Sequence, residues 1–396
     1  MAKVVPFGKE HQPAPPAAKK KSRKRTGYPD YALLAVVIIL VCFGLVMLYS
    51  ASAYEAASSA KADDMYYFRR QLLISLFSFA VAIGVSRFDY HLFIAGSYVL
   101  YWTAFILMLA VRTPLGVTIN GARRWLRLGI QFQPSEVAKI AVILCMSYML
   151  IEVGKRLKTK KVTLNLLGAV ILQAGGAYLL TDNLSTAVII FGIGFGMLYL
   201  LHPNKKLFIV VVLAVVIVVI LGLILLDNYM QSTDDFRMIR IAAWMHKEQY
   251  ANDEGYQVMQ GLYAIGRGGF LGQGLGNSTQ KLSTIPEAQN DMIFTIICEE
   301  LGLFGALLVI ILFGYLLYRL FIIAQNAPDL YGSLVASGIF IHIALQVILN
   351  ICVVLYIIPT TGVTLPFVSY GGTSVVFLMF EVGLALGISR QIPDAG

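Results

Sequence analysis

Residues Tyr31 to Leu48 read YALLAVVIILVCFGLVML, and no charged side chain interrupts them. A second uncharged run, LFIVVVLAVVIVVILGLILL, extends from Leu207 to Leu226. A bilayer core of about 30 Å is crossed by roughly 20 apolar residues at 1.5 Å rise, so each run reads as a spanning helix. The pattern recurs along the chain: of its 396 residues 58% are hydrophobic and 13% charged, with a mean hydropathy of +0.74. The composition excludes a soluble domain and predicts an all-α polytopic membrane protein. Apolar run lengths place about ten spans, near 31–50, 70–86, 90–111, 134–152, 163–181, 184–201, 207–227, 292–318, 333–358 and 367–388.

The charges orient these spans. Residues 1–30 form a hydrophilic tail with Lys19, Lys20, Lys21, Arg23, Lys24 and Arg25 after Pro13, Pro15 and Pro16, a composition that reads as disordered. Beside a membrane helix such a run suits anionic headgroups and fixes the tail in the cytoplasm, a reading favoured there over nucleic-acid binding. The first apolar run is long enough to span and no small-residue cleavage pattern ends it, so it is not a cleavable signal. Alternation then puts Lys155, Arg156, Lys158, Lys160, Lys161, Lys205, Lys206, Arg319 and Arg390 inside, with both termini cytoplasmic. Residues 31–396 make one transmembrane domain. Cys42, Cys145, Cys298 and Cys352 lie in apolar runs without CxxC spacing, which argues against disulfides and thiolate metal sites. The five histidines are scattered, His342 among them, and read as packing or interface residues.

The outward connections carry the chemistry. The longest runs from about 227 to 291 and holds Arg237, Arg240, Lys247, Arg267 and Lys281; another carries Arg123 and Arg124. Cations on the outer face oppose the positive-inside bias, and an anionic ligand explains the set, although any single arginine is equally explained by local acids or lipid phosphate. Arg237, Arg240, Trp244 and Lys247 recur at helical spacing, as on a helix lying along the membrane surface. Gly272-Gln-Gly-Leu-Gly-Asn-Ser-Thr-Gln-Lys281 follows; its glycines would let backbone N–H groups approach phosphate oxygens. No Walker A or GxGxxG motif supports a nucleotide site. The loop ends on Asp291 at the edge of the next span, where a carboxylate invites a functional reading. On the residues alone, an N-cap or first-turn acid is the preferred reading of Asp291.

These motifs, taken in order, resemble the SEDS family (shape, elongation, division and sporulation), polytopic peptidoglycan glycosyltransferases. The resemblance runs from about Tyr31 to the C-terminus. It rests on Met47-Leu-Tyr-Ser-Ala-Ser52, Asn120-Gly-Ala-Arg-Arg-Trp125, Gln133-Pro-Ser-Glu-Val-Ala-Lys139, Asn183-Leu-Ser-Thr-Ala187, Pro286-Glu287 to Asp291, Glu299-Glu-Leu-Gly302 and Thr361-Gly-Val-Thr-Leu-Pro-Phe-Val-Ser-Tyr-Gly-Gly-Thr-Ser374. The Gly274–Lys281 and Asn183–Ala187 stretches are similar to the FtsW/SpoVE branch rather than RodA. Two positions depart from the family pattern: Gln289-Asn290 stand where His-Thr is usual before the acid, and Asp182 stands for a proline.

The resemblance implies polymerisation of lipid II on the outer face of the bacterial cytoplasmic membrane, by inversion at the donor's anomeric carbon, for septum synthesis in cell division. It implies Asp291 as the general base. A lipid diphosphate leaves as a stable anion, so cations rather than a second acid are required. Arg123, Arg124, Lys139, Arg237, Arg240, Arg267, Gln280 and Lys281 are candidates for holding the substrate, with Gly274, Gly276, Asn277 and Ser278 supporting the loop. Glu287 is a second acid that a structural loop role explains equally well. Glu136 and Lys139 are expected to pair at i, i+3, and Glu299 and Glu300 to need structural partners. A divalent cation, Mg or Mn, would assist the diphosphate, but no ligand cluster identifies one. The implied partners are lipid II, a class B penicillin-binding protein and other divisome membrane proteins. A lipid II flippase and a non-catalytic divisome scaffold are the competing functions.

Overall fold

The computed structural model describes residues 27–58, 63–119, 121–225, 236–246, 249–250, 255–281, 285 and 288–393. Among them, nine helices are long and apolar enough to cross a membrane. They are α1 (Tyr31–Ser58), α2 (Tyr66–Arg87), α3 (Leu92–Ala110), α4 (Pro134–Val153), α5 (Lys160–Thr181), α6 (Leu184–Leu201), α7 (Lys205–Leu225), α10 (Ile293–Asn326) and α11 (Leu330–Val354). Two short helices, α8 (Phe236–Met245) and α9 (Tyr256–Gly268), occupy the long connection, and α12 (Ser374–Ser389) closes the chain. The basic tail, Lys247 and Glu287 lie outside the described residues, as does the side chain of Arg237.

α4 is the central span, packed against α3, α6 and α11, and 61% of its apolar window is buried against 6% for α7. Helix ends follow local chemistry. Pro134 opens α4 at a position whose N–H has no helical partner. Asn183 caps α6 by accepting from Thr186 N at 3.0 Å, and Asp329 caps α11 by accepting from Gly332 N at 2.7 Å.

α12 has 16 residues and rises about 24 Å, less than a bilayer core. The chain nevertheless returns to the end where it began. Gly27 N donates to Arg390 O at 2.8 Å, Asp30 N donates to Ser389 Oγ at 3.0 Å, and Arg319 pairs with Asp30 at 2.6 Å. The missing length comes from residues 359–373, a non-helical stretch with Leu365, Phe367, Val368 and Ser369 buried. Irregular backbone is tolerated at such depth only when enclosed by protein.

At the same end, His91 lies between two carboxylates, Nδ1 at 2.6 Å from Asp89 and Nε2 at 2.8 Å from Asp329. Burial pushes the Asp329 carboxyl up, but hydrogen bonds from Tyr90 and Gly332 N and the His91 charge outweigh it and leave it below the ordinary value. Lys155, Arg156, Lys158, Lys160, Lys161, Lys205 and Lys206 also sit at this end, which the positive-inside bias assigns to the cytoplasm. Single-cysteine labelling in a cysteine-free background should therefore reach position 158 from inside and 277 from outside. Labelling of both from one side would break the ten-span topology.

The opposite end carries a feature that the all-α expectation passed over. Strands β1 (Gly116–Ile119), β2 (Ala122–Leu128) and β3 (Ile130–Phe132) form an antiparallel sheet in that order, pairing Val117 with Trp125 and Leu126 with Phe132. Its signal was the Asn-Gly pair at 120–121, which favours a tight hairpin; Gly121 takes φ +74°.

Candidate active site

Asp291 precedes α10 by two residues. The N-cap is Met292, without a side-chain capping bond, and no acid lies in the first turn. The partly exposed Asp291 side chain faces the segment after α11: a methyl built on Gly362 would stand 3.9 Å from Asp291 Oδ2. Asn350 of α11 ties the two walls together, donating through Nδ2 to Asp291 O at 2.8 Å and to Val363 O at 2.7 Å. Ser185 of α6 donates to Thr361 O at 2.7 Å, and Tyr370 N to Gln289 O at 2.9 Å. Around this mouth Gln289 Oε1, Asn350 Oδ1 and Thr361 Oγ1 are buried without a hydrogen-bond partner among the described residues. Converging polar atoms left unsatisfied are a property of ligand sites rather than of packed cores.

Lys139 reaches the same segment from α4. Its side chain is 2% exposed and pairs with Glu136 at 2.9 Å, as the i, i+3 spacing predicted. Lys139 Nζ also donates to Gln346 Oε1 at 3.3 Å, while Gln346 Nε2 donates to Thr364 O at 3.1 Å. Asp291, beside Gly362, and Lys139, through Gln346, are thus linked to one segment, residues 361–364, although 152 positions apart in numbering. Sequence reasoning missed Gln346 and Asn350. With His342 they stand at i, i+4 and i+8 on one face of an apolar helix, a polar stripe whose spacing was the available signal.

The glycine-rich loop is built differently from the expectation that its N–H groups face phosphate. α10 breaks at Gly302, φ +64°, which frees the carbonyls of Glu299 and Glu300. Gln273 N and Gly274 N donate to those two carbonyls at 2.9 Å each, and Leu303 N donates to Gly269 O at 2.9 Å. The loop thereby supplies the hydrogen bonds that the helix lost. A Cβ at Gly272 would stand 2.2 Å from Glu300 O, so only glycine fits there. The Glu299 side chain accepts from Ser278 Oγ and from Thr279 N. Lys281 Nζ donates to Glu300 Oε1 at 2.7 Å, Gly276 O at 2.7 Å and Ser50 Oγ at 3.0 Å. An ammonium has three N–H groups, and all three are engaged. A diphosphate could reach Lys281 only by displacing one of these three acceptors, of which Glu300 is a carboxylate of 0% exposure.

The remaining candidates are distributed around the mouth end. Arg123 and Arg124 lie on β2; Arg123 Nη2 donates to Thr113 O at 2.5 Å, and its Nε is buried without a hydrogen-bond partner among the described residues. Arg267 Nη1 donates to Thr279 Oγ1 at 2.5 Å, and Gln280 Oε1 is buried without a hydrogen-bond partner among the described residues. Asn277 is exposed. Arg240 is partly buried on α8. That helix docks by Trp244 Nε1 donating to Tyr356 O at 3.2 Å and Tyr356 OH to Ala243 O at 2.6 Å. Between α7 and α8 opens an apolar cavity of about 570 Å³, lined by Ile220, Leu223, Ile224, Trp244, Met245 and Tyr356. Among the described residues no three His, Cys, Asp or Glu are grouped to hold a metal ion.

Comparison with known proteins matches this architecture. The FtsW–RodA–SpoVE model, described as a cell cycle protein, matches residues 31–393. Stage V sporulation protein E of Bacillus subtilis (strain 168) is 37% identical over 368 residues, covering 91% of this chain and 97% of the relative. The probable peptidoglycan glycosyltransferase FtsW of Trichlorobacter lovleyi is 36% identical, covering 92% and 93%. The rod shape determining protein RodA of Thermus thermophilus superposes with a TM-score of 0.64 at 25% identity, over 92% of this chain and 97% of that one. A chain from a peptidoglycan synthase complex, described as coordinating polymerization and crosslinking, superposes with a TM-score of 0.74 at 24% identity, over 92% and 99%. That last likeness is one of fold.

Proposed function

Because the chain belongs to the FtsW–RodA–SpoVE family of cell-cycle proteins, we propose that it is a peptidoglycan glycosyltransferase that polymerises lipid II at the outer face of the cytoplasmic membrane. The observation that carries this reading is the Asp291 carboxylate, beside Gly362 at a mouth lined by unsatisfied buried polar atoms. A carboxylate there takes the proton from the acceptor sugar's 4-hydroxyl as that oxygen attacks the donor's anomeric carbon, help typically worth about 10²–10⁴-fold. The lipid diphosphate departs with the electron pair of the broken bond. Arg123, Arg124 and Arg240 at the mouth end supply positive charge to that anion, with Lys139 held between Glu136 and Gln346 behind the facing segment. The open cavity between α7 and α8 is apolar enough to take the prenyl chain. A divalent cation, Mg or Mn, would assist the diphosphate through the substrate's own oxygens; among the described residues no three His, Cys, Asp or Glu are grouped to hold it alone. A class B penicillin-binding protein is the proposed partner, in keeping with the fold shared with a chain of a peptidoglycan synthase complex.

Purified full-length protein should convert lipid II into glycan strands that a muramidase degrades, and a class B partner should raise the yield. Absence of such strands with and without the partner would refute the activity.

A further inference from the structure

His342 and Glu381 are buried mid-helix on α11 and α12, each about 1% exposed, and the reaction above uses neither. Their hydrogen bonds fix how many protons they hold. Thr364 O can only accept, so the Gln346 atom 3.1 Å from it is the amide nitrogen. The Lys139 ammonium can only donate, so the Gln346 atom facing it is the carbonyl oxygen. With the amide fixed from both sides, Gln346 Oε1 at 3.0 Å from His342 Nε2 requires a proton on Nε2. His342 Nδ1 lies 2.8 Å from Glu381 Oε2 and 3.0 Å from Oε1, which requires a second proton between ring and carboxyl. The pair therefore holds two protons and is neutral overall. Glu136 and Lys139 balance one another, so the whole chain of five side chains enters the bilayer without net charge, as its burial demands.

We propose that His342 and Glu381 are positioning residues that lock Gln346 in the one orientation in which it holds both walls of the active-site mouth. Glu381 orients the imidazole, and the imidazole N–H holds the Gln346 carbonyl. That carbonyl restrains the Lys139 ammonium, while the amide end of Gln346 restrains Thr364 in the segment facing Asp291. The catalytic consequence rests on the glycosyltransferase reading; the clamp itself does not. Three apolar helices could pack here without a polar pair, and replacing a buried ion pair by apolar residues is often neutral for stability. A role in packing alone thus separates from a role in positioning.

The test is His342→Leu/Glu381→Leu in the full-length protein, read by melting, by backbone hydrogen exchange over residues 361–370 and by lipid II turnover. The clamp predicts melting close to wild type, faster exchange confined to that segment, and turnover lowered about tenfold, within the ~10²-fold that a 1 Å misplacement costs. Glu381→Gln offers an amide N–H to Nδ1 and leaves Nε2–H on Gln346, so it should keep wild-type exchange and turnover, and it serves if the double variant does not fold. Wild-type exchange at 361–370 in the double variant, or faster exchange there in Glu381→Gln, would overturn the clamp. Faster exchange in the double variant, with no turnover even in the wild type, would uphold the clamp and refute the glycosyltransferase reading instead.

Discussion

Lys281→Met should destabilise the protein by ~3–5 kcal/mol, the cost typical of breaking a buried ion pair by removing one partner. The expectation follows from Glu300, whose side chain is 0% exposed. Its carboxylate accepts from Ser50 Oγ at 2.7 and 2.8 Å and from the Lys281 ammonium at 2.7 Å. Without the ammonium, a hydroxyl alone would face a charge that hydrocarbon and protein both disfavour. The same ammonium holds Gly276 O, so the loop would lose its closure together with the charge balance. Thermal melting of detergent-purified protein checks this. Lys281→Met/Glu300→Gln should recover most of the loss, because no charge is then stranded. A Lys281→Met protein that melts like the wild type would show that the Lys281–Glu300 pair does not hold the loop.

The spans were legible because hydrocarbon thickness sets the length of an apolar run, as for Tyr31–Leu48 and Leu207–Leu226. The break at Gly302 was not, since a single glycine after Glu299-Glu300 does not by itself end a helical pattern, and only the docked loop reveals where helical hydrogen bonds are replaced. The tenth span was placed at 367–388 from apolar content, whereas the helix begins at Ser374 after an enclosed irregular segment. At the site, Asp291 and the Glu136–Lys139 pair were singled out from sequence, because a charge beside hydrocarbon stands out. The cations were harder to sort. Nothing local distinguishes Lys281, enclosed by Glu300 and Ser50, from a cation awaiting substrate, since those partners lie 19 and 231 positions away. His342 read as packing because its partner Glu381 is 39 residues distant.

Asp291→Asn should lower lipid II polymerisation by about 10²–10⁴-fold, the usual contribution of a general base, while leaving the fold intact. The two side chains are nearly the same size, and Asn caps a helix nearly as well as Asp, so the start of α10 is preserved. The backbone carbonyl that accepts from Asn350 is also unchanged. What disappears is a group that can carry the proton away. Binding of lipid II should stay close to wild type, since the amide keeps the shape of the mouth and Lys139 is untouched. The loss should therefore appear in kcat, with KM nearly constant. A rise in KM at constant kcat would make Asp291 a binding group instead.

The most direct measurement places wild-type and Asp291→Asn proteins in liposomes with labelled lipid II, and follows glycan strands and movement of the lipid between leaflets in the same vesicles. A carboxylate-driven glycosyltransferase predicts strands from the wild type, none above background from Asp291→Asn, and no transfer between leaflets by either. Strands formed by Asp291→Asn at the wild-type rate would contradict the assignment of the base. Lipid II crossing the bilayer without strands would contradict the activity itself.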